Sequence, residues 1–331
     1  MEQRIFGRSG LKLSLLGFGC GAVGGLFVRG EEKDQERAVA RALELGITYF
    51  DTAAMYGEGA SERNLGRVLK SLKPDILLGT KVRLGESEKR RIGEAIKTSL
   101  EASLRRLGRE SVDLFQLHNP ITEEEKEGAL TPAIVLGQVV PAFERLRREG
   151  KSRFFGITAV GDTKALKTVV GSRAFESAQI VYNALNPSAG APLPEGYPAH
   201  DFANLLAATK AAGMGVIAIR ALAGGALSGT LARHPLAAPS VAPIASGRDY
   251  PADATRARRF EALLHEGFAE SLVELALRFV IADNRVTTML VGYSNLEQLE
   301  SAAAAVAKGP LPPAARERLA ALQKGFAGES P

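Results

Sequence analysis

The sequence predicts an α/β protein, a (β/α)8 TIM barrel preceded by a short N-terminal β-hairpin. Three features lead there: eight apolar runs of strand length, longer amphipathic runs between them, and no glycine fingerprint of an open nucleotide-binding sheet. Short, continuously apolar strands alternating with helices mark a parallel sheet covered by helices. Eight such strands in one chain point to a closed barrel.

The hairpin comes first, as Arg4-Ile5-Phe6, a turn at Ser9-Gly10 and residues 11–13. Strands are expected at residues 15–19, 48–52, 76–81, 112–118, 153–158, 178–182, 216–220 and 288–292. Helical patterns lie between them, among them 35–45, 61–69, 92–107 and 141–149. Gly17, Gly19, Gly21, Gly24 and Gly25 cluster after the first strand, but they read G-F-G-C-G-A-V-G-G and run into Leu26-Phe27-Val28. A doubly wound sheet would show G-x-G-x-x-G leading straight into a helix. Two irregular stretches break the alternation: 186–198 after the sixth strand, and 231–256, with four prolines, after the seventh. Long irregular segments of this kind are commonly lids or binding loops. The whole chain, 1–331, reads as a single barrel domain, since barrels of this length routinely form one unit.

Of the 331 residues, 45% are hydrophobic, enough for a substantial core. The net charge of +5 arises from 42 basic and 37 acidic side chains, and its densest basic runs fall within or just after helical patterns. That distribution fits solvated helix faces rather than a nucleic-acid footprint. Cys20 is the sole cysteine, which excludes an intrachain disulfide and a multi-thiolate zinc site. No apolar stretch reaches the roughly 20 residues of a membrane span, and residues 1–16 carry no apolar signal core. The expectation is a cytoplasmic protein with no nucleic-acid or membrane partner and no metal site.

In such a barrel the chemistry sits at the carboxyl ends of the strands. The second strand ends Tyr49-Phe50-Asp51-Thr52, with Tyr56 in the following loop; the third ends in Lys81 and the fourth in His118. Each has an ordinary alternative: a helix-capping aspartate, a turn tyrosine, a solvated lysine, a structural histidine. Four ionisable groups at three successive strand ends are much harder to explain as decoration. They also make chemical sense together. A free phenol has a pKa of about 10, an adjacent ammonium lowers it, and a carboxylate can hold that ammonium in place. Asp51 would orient Lys81, Lys81 would tune Tyr56, Tyr56 would give a proton to a developing alkoxide, and His118 would bond the same oxygen. That set suits carbonyl reduction or its reverse. No G-x-S-x-G nucleophile elbow and no H-E-x-x-H metal pattern is present.

These residues resemble a known family. Asp51-Thr52-Ala53-Ala54-Met55-Tyr56-Gly57 with Ser61-Glu62-x-x-Leu65-Gly66 is similar to the aldo-keto reductase signature, and Gly79-Thr80-Lys81-Val82 and Asp113 to His118 match its next two blocks. The resemblance implies a barrel holding NADPH extended along its carboxyl rim, direct hydride transfer, and catalytic roles for Asp51, Tyr56, Lys81 and His118. It further implies cofactor contacts from Gly19, Cys20, Gly21 and Asp51, and from Gln179 to the nicotinamide carboxamide. Thr158-Ala159 stands where the family usually has Ser-Asn, so Thr158 keeps only a hydroxyl. Ile219-Arg220-Ala221-Leu222 replaces the usual aromatic-Ser-Pro-Leu. Arg220 then reaches either the nicotinamide side or the pyrophosphate, or else makes a structural ion pair. Leu222, Gly224, Gly225 and Leu227 belong to a segment similar to the one that lies along the diphosphate. Gly292, Ser294 and Gln298 resemble the segment that holds the adenosine 2'-phosphate. The resemblance favours NADP, and the absence there of the Lys or Arg that many relatives carry leaves NAD open.

The implied function is hydride transfer between NADP(H) and an aldehyde, ketone or sugar. The alternative is a nicotinamide-binding regulatory subunit with little turnover; its expected sign is a long amino-terminal extension, and here Met1 stands almost at the hairpin. The substrate and the oligomeric state are not legible.

Overall fold

A computed structural model describes residues 1–329. It opens with the antiparallel pair β1 (Gln3–Ile5) and β2 (Lys12–Ser14). Eight parallel strands then close a barrel: β3 (Leu16–Gly19), β4 (Tyr49–Asp51), β5 (Leu77–Val82), β6 (Val112–Leu117), β7 (Ser152–Ala159), β8 (Ser177–Val181), β9 (Gly215–Ile219) and β10 (Thr288–Gly292). They follow one another around the wall in chain order, and β10 pairs with both β9 and β3. All eight fall where the apolar runs put them, to within a residue at either end.

The hairpin closes the amino-terminal end. Phe6 stands outside β1 rather than in it: the chain turns, and the ring packs under the barrel with Leu13, Tyr49, Leu114 and Ile217. Full burial of such a ring contributes about 1.5–3 kcal/mol. Arg4 fastens the hairpin to the opposite side by donating to the carbonyls of Ile281, Asp283 and Val286.

Helices cover the outside as the 3.6-residue period requires, including Glu32–Glu44, Ala60–Leu72 and Ile92–Leu107. Two expectations change. The helix foreseen over 141–149 begins earlier, at Pro132, and passes through a π turn at Val135–Val139 before Val140–Arg148. Pro141 has no N–H to donate to the preceding turn, and a widened turn is how a helix runs through such a gap. The irregular stretch expected over 231–256 ends at Asp249. Its carboxylate accepts from Ala252 N–H at 2.8 Å and starts the helix Tyr250–Arg258, with Pro251 in the first turn.

The residues before Asp249 do not hang free. This segment leaves β9, crosses the exit of β10 and reaches the loop after β3, where Ala238 N–H donates to Val23 O and Arg29 donates to Leu236 O. That β3 loop lies directly on the β10 exit, and a Cβ at Gly24 would come within 2.4 Å of Tyr293 N. No helix among the described residues is long and apolar enough to cross a membrane.

Candidate active site

Asp51 ends β4 with its side chain inside the barrel, 3% exposed. Residues two apart on a strand share a face, so Tyr49 points inward below it and donates its hydroxyl to Asp51 Oδ2 at 2.8 Å. Gly79, beside Asp51 on β5, makes this possible, because a Cβ there would sit 2.4 Å from the Tyr49 oxygen. Gln179 Nε2 from β8 donates to the same carboxylate oxygen at 2.8 Å, and Gln116 Nε2 from β6 at 3.3 Å. The other oxygen, Oδ1, accepts from Lys81 Nζ in a fully buried ion pair.

Lys81 uses all three of its donors. Besides Asp51 it bonds Thr52 O at 2.8 Å and the Tyr56 hydroxyl at 3.4 Å. Burial acts to lower its pKa, but the Asp51 carboxylate and Tyr56 together overcome that and raise it, so the amine is held charged. Tyr56 lies in the turn leading to the helix Ala60–Leu72, its N–H on Ala53 O and its own carbonyl accepting Ser61 N–H. Burial raises the phenol's pKa above the ordinary value, while Lys81 and, more weakly, Arg220 pull it back. Lys81 thus acts in the expected sense, but desolvation outweighs the ammonium and the net shift is upward.

His118 follows β6, anchored by its N–H on Val82 O at 2.7 Å. Its ring stands edge-on to Tyr56, with centroids 5.8 Å apart and an 85° interplanar angle. Burial first, then Lys81 and Arg83, lower its pKa to about 3, so the imidazole is neutral. Its buried Nδ1 has no partner among the described residues.

The helix that carries this turn is locked by residues the sequence reading left without roles. Ser61 Oγ donates to Cys20 O and shares a 2.8 Å bond with Thr52. Glu62, wholly buried, accepts from Thr80 at 2.5 Å and from Arg106 at 2.6 Å. The Ser-Glu pair thus ties the loops after β3 and β4 to strand β5 and to the helix Ile92–Leu107. Tyr49 and Gln116 were also missed, although their inward phase on strands ending in Asp51 and His118 was legible.

The remaining candidates are distributed unevenly. Thr158 and Gln179 are side by side across β7 and β8, and the buried Thr158 hydroxyl has no partner among the described residues. Arg220 adopts a left-handed backbone, φ 57°, and donates to Ala242 O at 3.3 Å. Among the described residues Arg220 forms no ion pair; its contact with the protein is the Ala242 carbonyl. Gly19 and Gly21 border the mouth, the latter against the Tyr56 ring. Cys20 turns its thiol into the core and gives its N–H to Asp51 O, and Leu227 is likewise wholly buried. Leu222 accepts the Gly225 and Leu227 N–H groups, while Gly224 O accepts Arg233 Nη1 at 3.0 Å. Beyond Gly292, Ser294 and Gln298 are committed to the protein: Ser294 Oγ donates to Gly24 O at 2.6 Å, and Ser294 N–H donates to Gln298 Oε1 at 2.8 Å.

The sequence model of the Aldo/keto reductase family matches residues 15–324. The chain belongs to this family. It is thus an oxidoreductase, built on the barrel that its relatives share. It is 30% identical to L-galactose dehydrogenase of Arabidopsis thaliana over 315 residues, 92% of this chain and 88% of that one. It is 28% identical to L-glyceraldehyde 3-phosphate reductase of Escherichia coli over 332 residues, covering 91% and 86%. The holo form of an aldo-keto reductase from Bacillus halodurans superposes with a TM-score of 0.71 at 28% identity, over 99% of this chain and 98% of that one.

Proposed function

We propose that this aldo/keto reductase transfers a hydride between a nicotinamide dinucleotide, NADP(H) in preference to NAD(H), and a small aldehyde, ketone or sugar, with Tyr56 as the proton donor and acceptor. The observation that carries the reading is the continuous chain from Asp51 through Lys81 to the Tyr56 hydroxyl, with a neutral His118 edge-on to the phenol.

The residues present suit such a cofactor. The buried Thr158 hydroxyl has no partner among the described residues, and a carboxamide would supply one next to Gln179. Arg220 is a cation at the β9 exit with no carboxylate partner among the described residues, suited to meet a phosphate. The adenosine end is assigned to the turn after β10 by its resemblance to the family segment, although the Ser294 hydroxyl and the Gln298 amide oxygen there bond the protein. The dinucleotide supplies the hydride; the chain supplies everything else.

In the direction of reduction, the substrate oxygen is received by the Tyr56 hydroxyl and by a His118 imidazole that is uncharged and can donate one ring N–H. As negative charge gathers on that oxygen, the phenol proton passes to it. Lys81, held charged by Asp51, stabilises the phenolate left behind. In oxidation the same phenolate takes the proton from the alcohol. Charge therefore moves within a preorganised set rather than into water.

The test is Tyr56→Phe. The variant should bind NADPH, read by fluorescence titration, while losing about 10²–10⁴-fold in kcat. Wild-type rates on several aldehydes would show that the proton comes from elsewhere. A parallel NADH titration decides the cofactor.

A further inference from the structure

Beyond the catalytic set, β5 carries one more inward position. Lys81 points into the barrel, and two residues on, at the strand's exit, Arg83 returns to the same face one layer nearer solvent. The neighbouring strand places His118 beside it, through His118 N–H on Val82 O. Arg83 is exposed, and its guanidinium lies over the loop after β6, 3.4 Å from where a Gly128 Cβ would stand. Among the described residues it makes no hydrogen bond or ion pair. The nearest acidic candidate in sequence, Glu86, is already taken by Gly128 N–H and Lys89.

Topology assigns this cation to the substrate rather than to the dinucleotide. Around the barrel the order is β10, β3, β4, β5, β6, β7, β8, β9, so β5 stands diametrically opposite β9. The candidate dinucleotide residues cluster on β7 to β10 and after β3, with Arg220 at the β9 exit. Arg83 faces them from across the mouth, on the far side of Tyr56 and His118. Its charge is felt at His118, as Arg220's is at Tyr56.

We propose that Arg83 binds an anionic substituent of the carbonyl substrate, a carboxylate or a phosphate held a few bonds from the reacting carbon. This rests on the carbonyl-reducing function proposed above. Arginine suits the task because its planar fork pairs with both anions in two-point contacts.

The experiment compares matched substrates at low and high salt: succinic semialdehyde against butanal, and glyceraldehyde 3-phosphate against glyceraldehyde. The wild-type enzyme should prefer at least one anionic member through a lower KM, and the preference should shrink with added salt. Arg83→Gln should cut the anionic-to-neutral ratio of kcat/KM by about 10-fold or more, the scale of a lost charged hydrogen bond. Arg83→Lys should restore part of it. Which pair responds tells carboxylate from phosphate. Calorimetric binding of phosphoglycolate and of succinate to the dinucleotide-loaded protein, present in the wild type and lost in Arg83→Gln, gives a second readout that needs no turnover. Neutral aldehydes reduced with no anionic preference, or a ratio unmoved by Arg83→Gln, overturns the role of Arg83 alone. Failure to reduce any of the four overturns the function on which it rests.

Discussion

Gln179 reaches across the barrel axis to Asp51, its amide 2.8 Å from the carboxylate Oδ2, joining strands that stand four apart in the eight-strand ring. With Tyr49, Gln116 and Lys81 it makes Asp51 the acceptor of four side-chain donors. The carboxylate is thus a structural hub as well as the counter-charge of Lys81. Asp51→Asn would strand a buried ammonium, and breaking such a pair from one side costs about 3–5 kcal/mol. Gln179→Leu leaves the charge pair and two other donors in place and should cost about 1–3 kcal/mol. Urea or thermal denaturation of both variants checks the order. Equal losses would mean that the Lys81 pair contributes nothing beyond an ordinary hydrogen bond.

Lys81→Met isolates the electrostatic part of the mechanism. The Tyr56 phenol is already raised by burial, and Lys81 is the largest influence pulling it back. Removing the ammonium should push the pKa higher still. Alcohol oxidation, which needs the phenolate, should then suffer more than carbonyl reduction, and its pH optimum should move to more alkaline values. Rate profiles from pH 6 to 10 in both directions measure this. An unshifted profile would place the control of Tyr56 outside Lys81.

His118 has a sign that can be worked out. Its folded pKa, about 3, lies below the ordinary imidazole value of 6.5. Above pH 6.5 neither the folded nor the unfolded state holds a proton there, and the site is neutral in its effect. As pH falls from 6.5 towards 3, the unfolded chain takes up a proton that the folded imidazole refuses, so stability is lost across that window. His118→Asn should lose less stability than wild type between pH 7 and pH 4.5, read from paired urea melts. The wild-type His118 ring signals should also stay at their neutral NMR positions down to pH 5.

The barrel and the convergence of Asp51, Tyr56, Lys81 and His118 were legible because both rest on local patterns: apolar runs for the strands, and polar residues at or just after their last positions. What the sequence concealed depends on pairs far apart in the chain. Nothing near Gln179 announces that its amide serves Asp51, 128 residues away. Likewise, nothing in the run Ser294 to Gln298 announces that Asn295 caps the helix Leu296–Ala307 while Gln298 accepts Ser294 N–H. That is a reciprocal capping arrangement. The net sign of the Tyr56 shift was concealed for a different reason: burial is a property of the fold, and it outweighs a neighbour that sequence could identify.

The segment from β9 to the loop after β3 gives the last prediction. Its attachment at the far end is narrow: Ala238 N–H on Val23 O, and the Arg29 guanidinium shared between Leu236 O at 2.8 Å and Ala22 O at 2.5 Å. Its near end is held more firmly, by Arg233 on Ala238 O and Gly224 O and by Tyr250 on Thr230 O. Arg29→Ala removes one of the two far-end bonds, the one to Leu236 O, without touching the barrel core. Segments held by few contacts open locally while the rest of the fold stays intact. Amide hydrogen exchange should therefore quicken across residues 231–242 while the barrel strands keep their protection. If a bound dinucleotide lies beneath this crossing, its release, followed by stopped-flow fluorescence, should quicken in the same variant. Unchanged exchange in 231–242 would show that the near end alone holds the segment down.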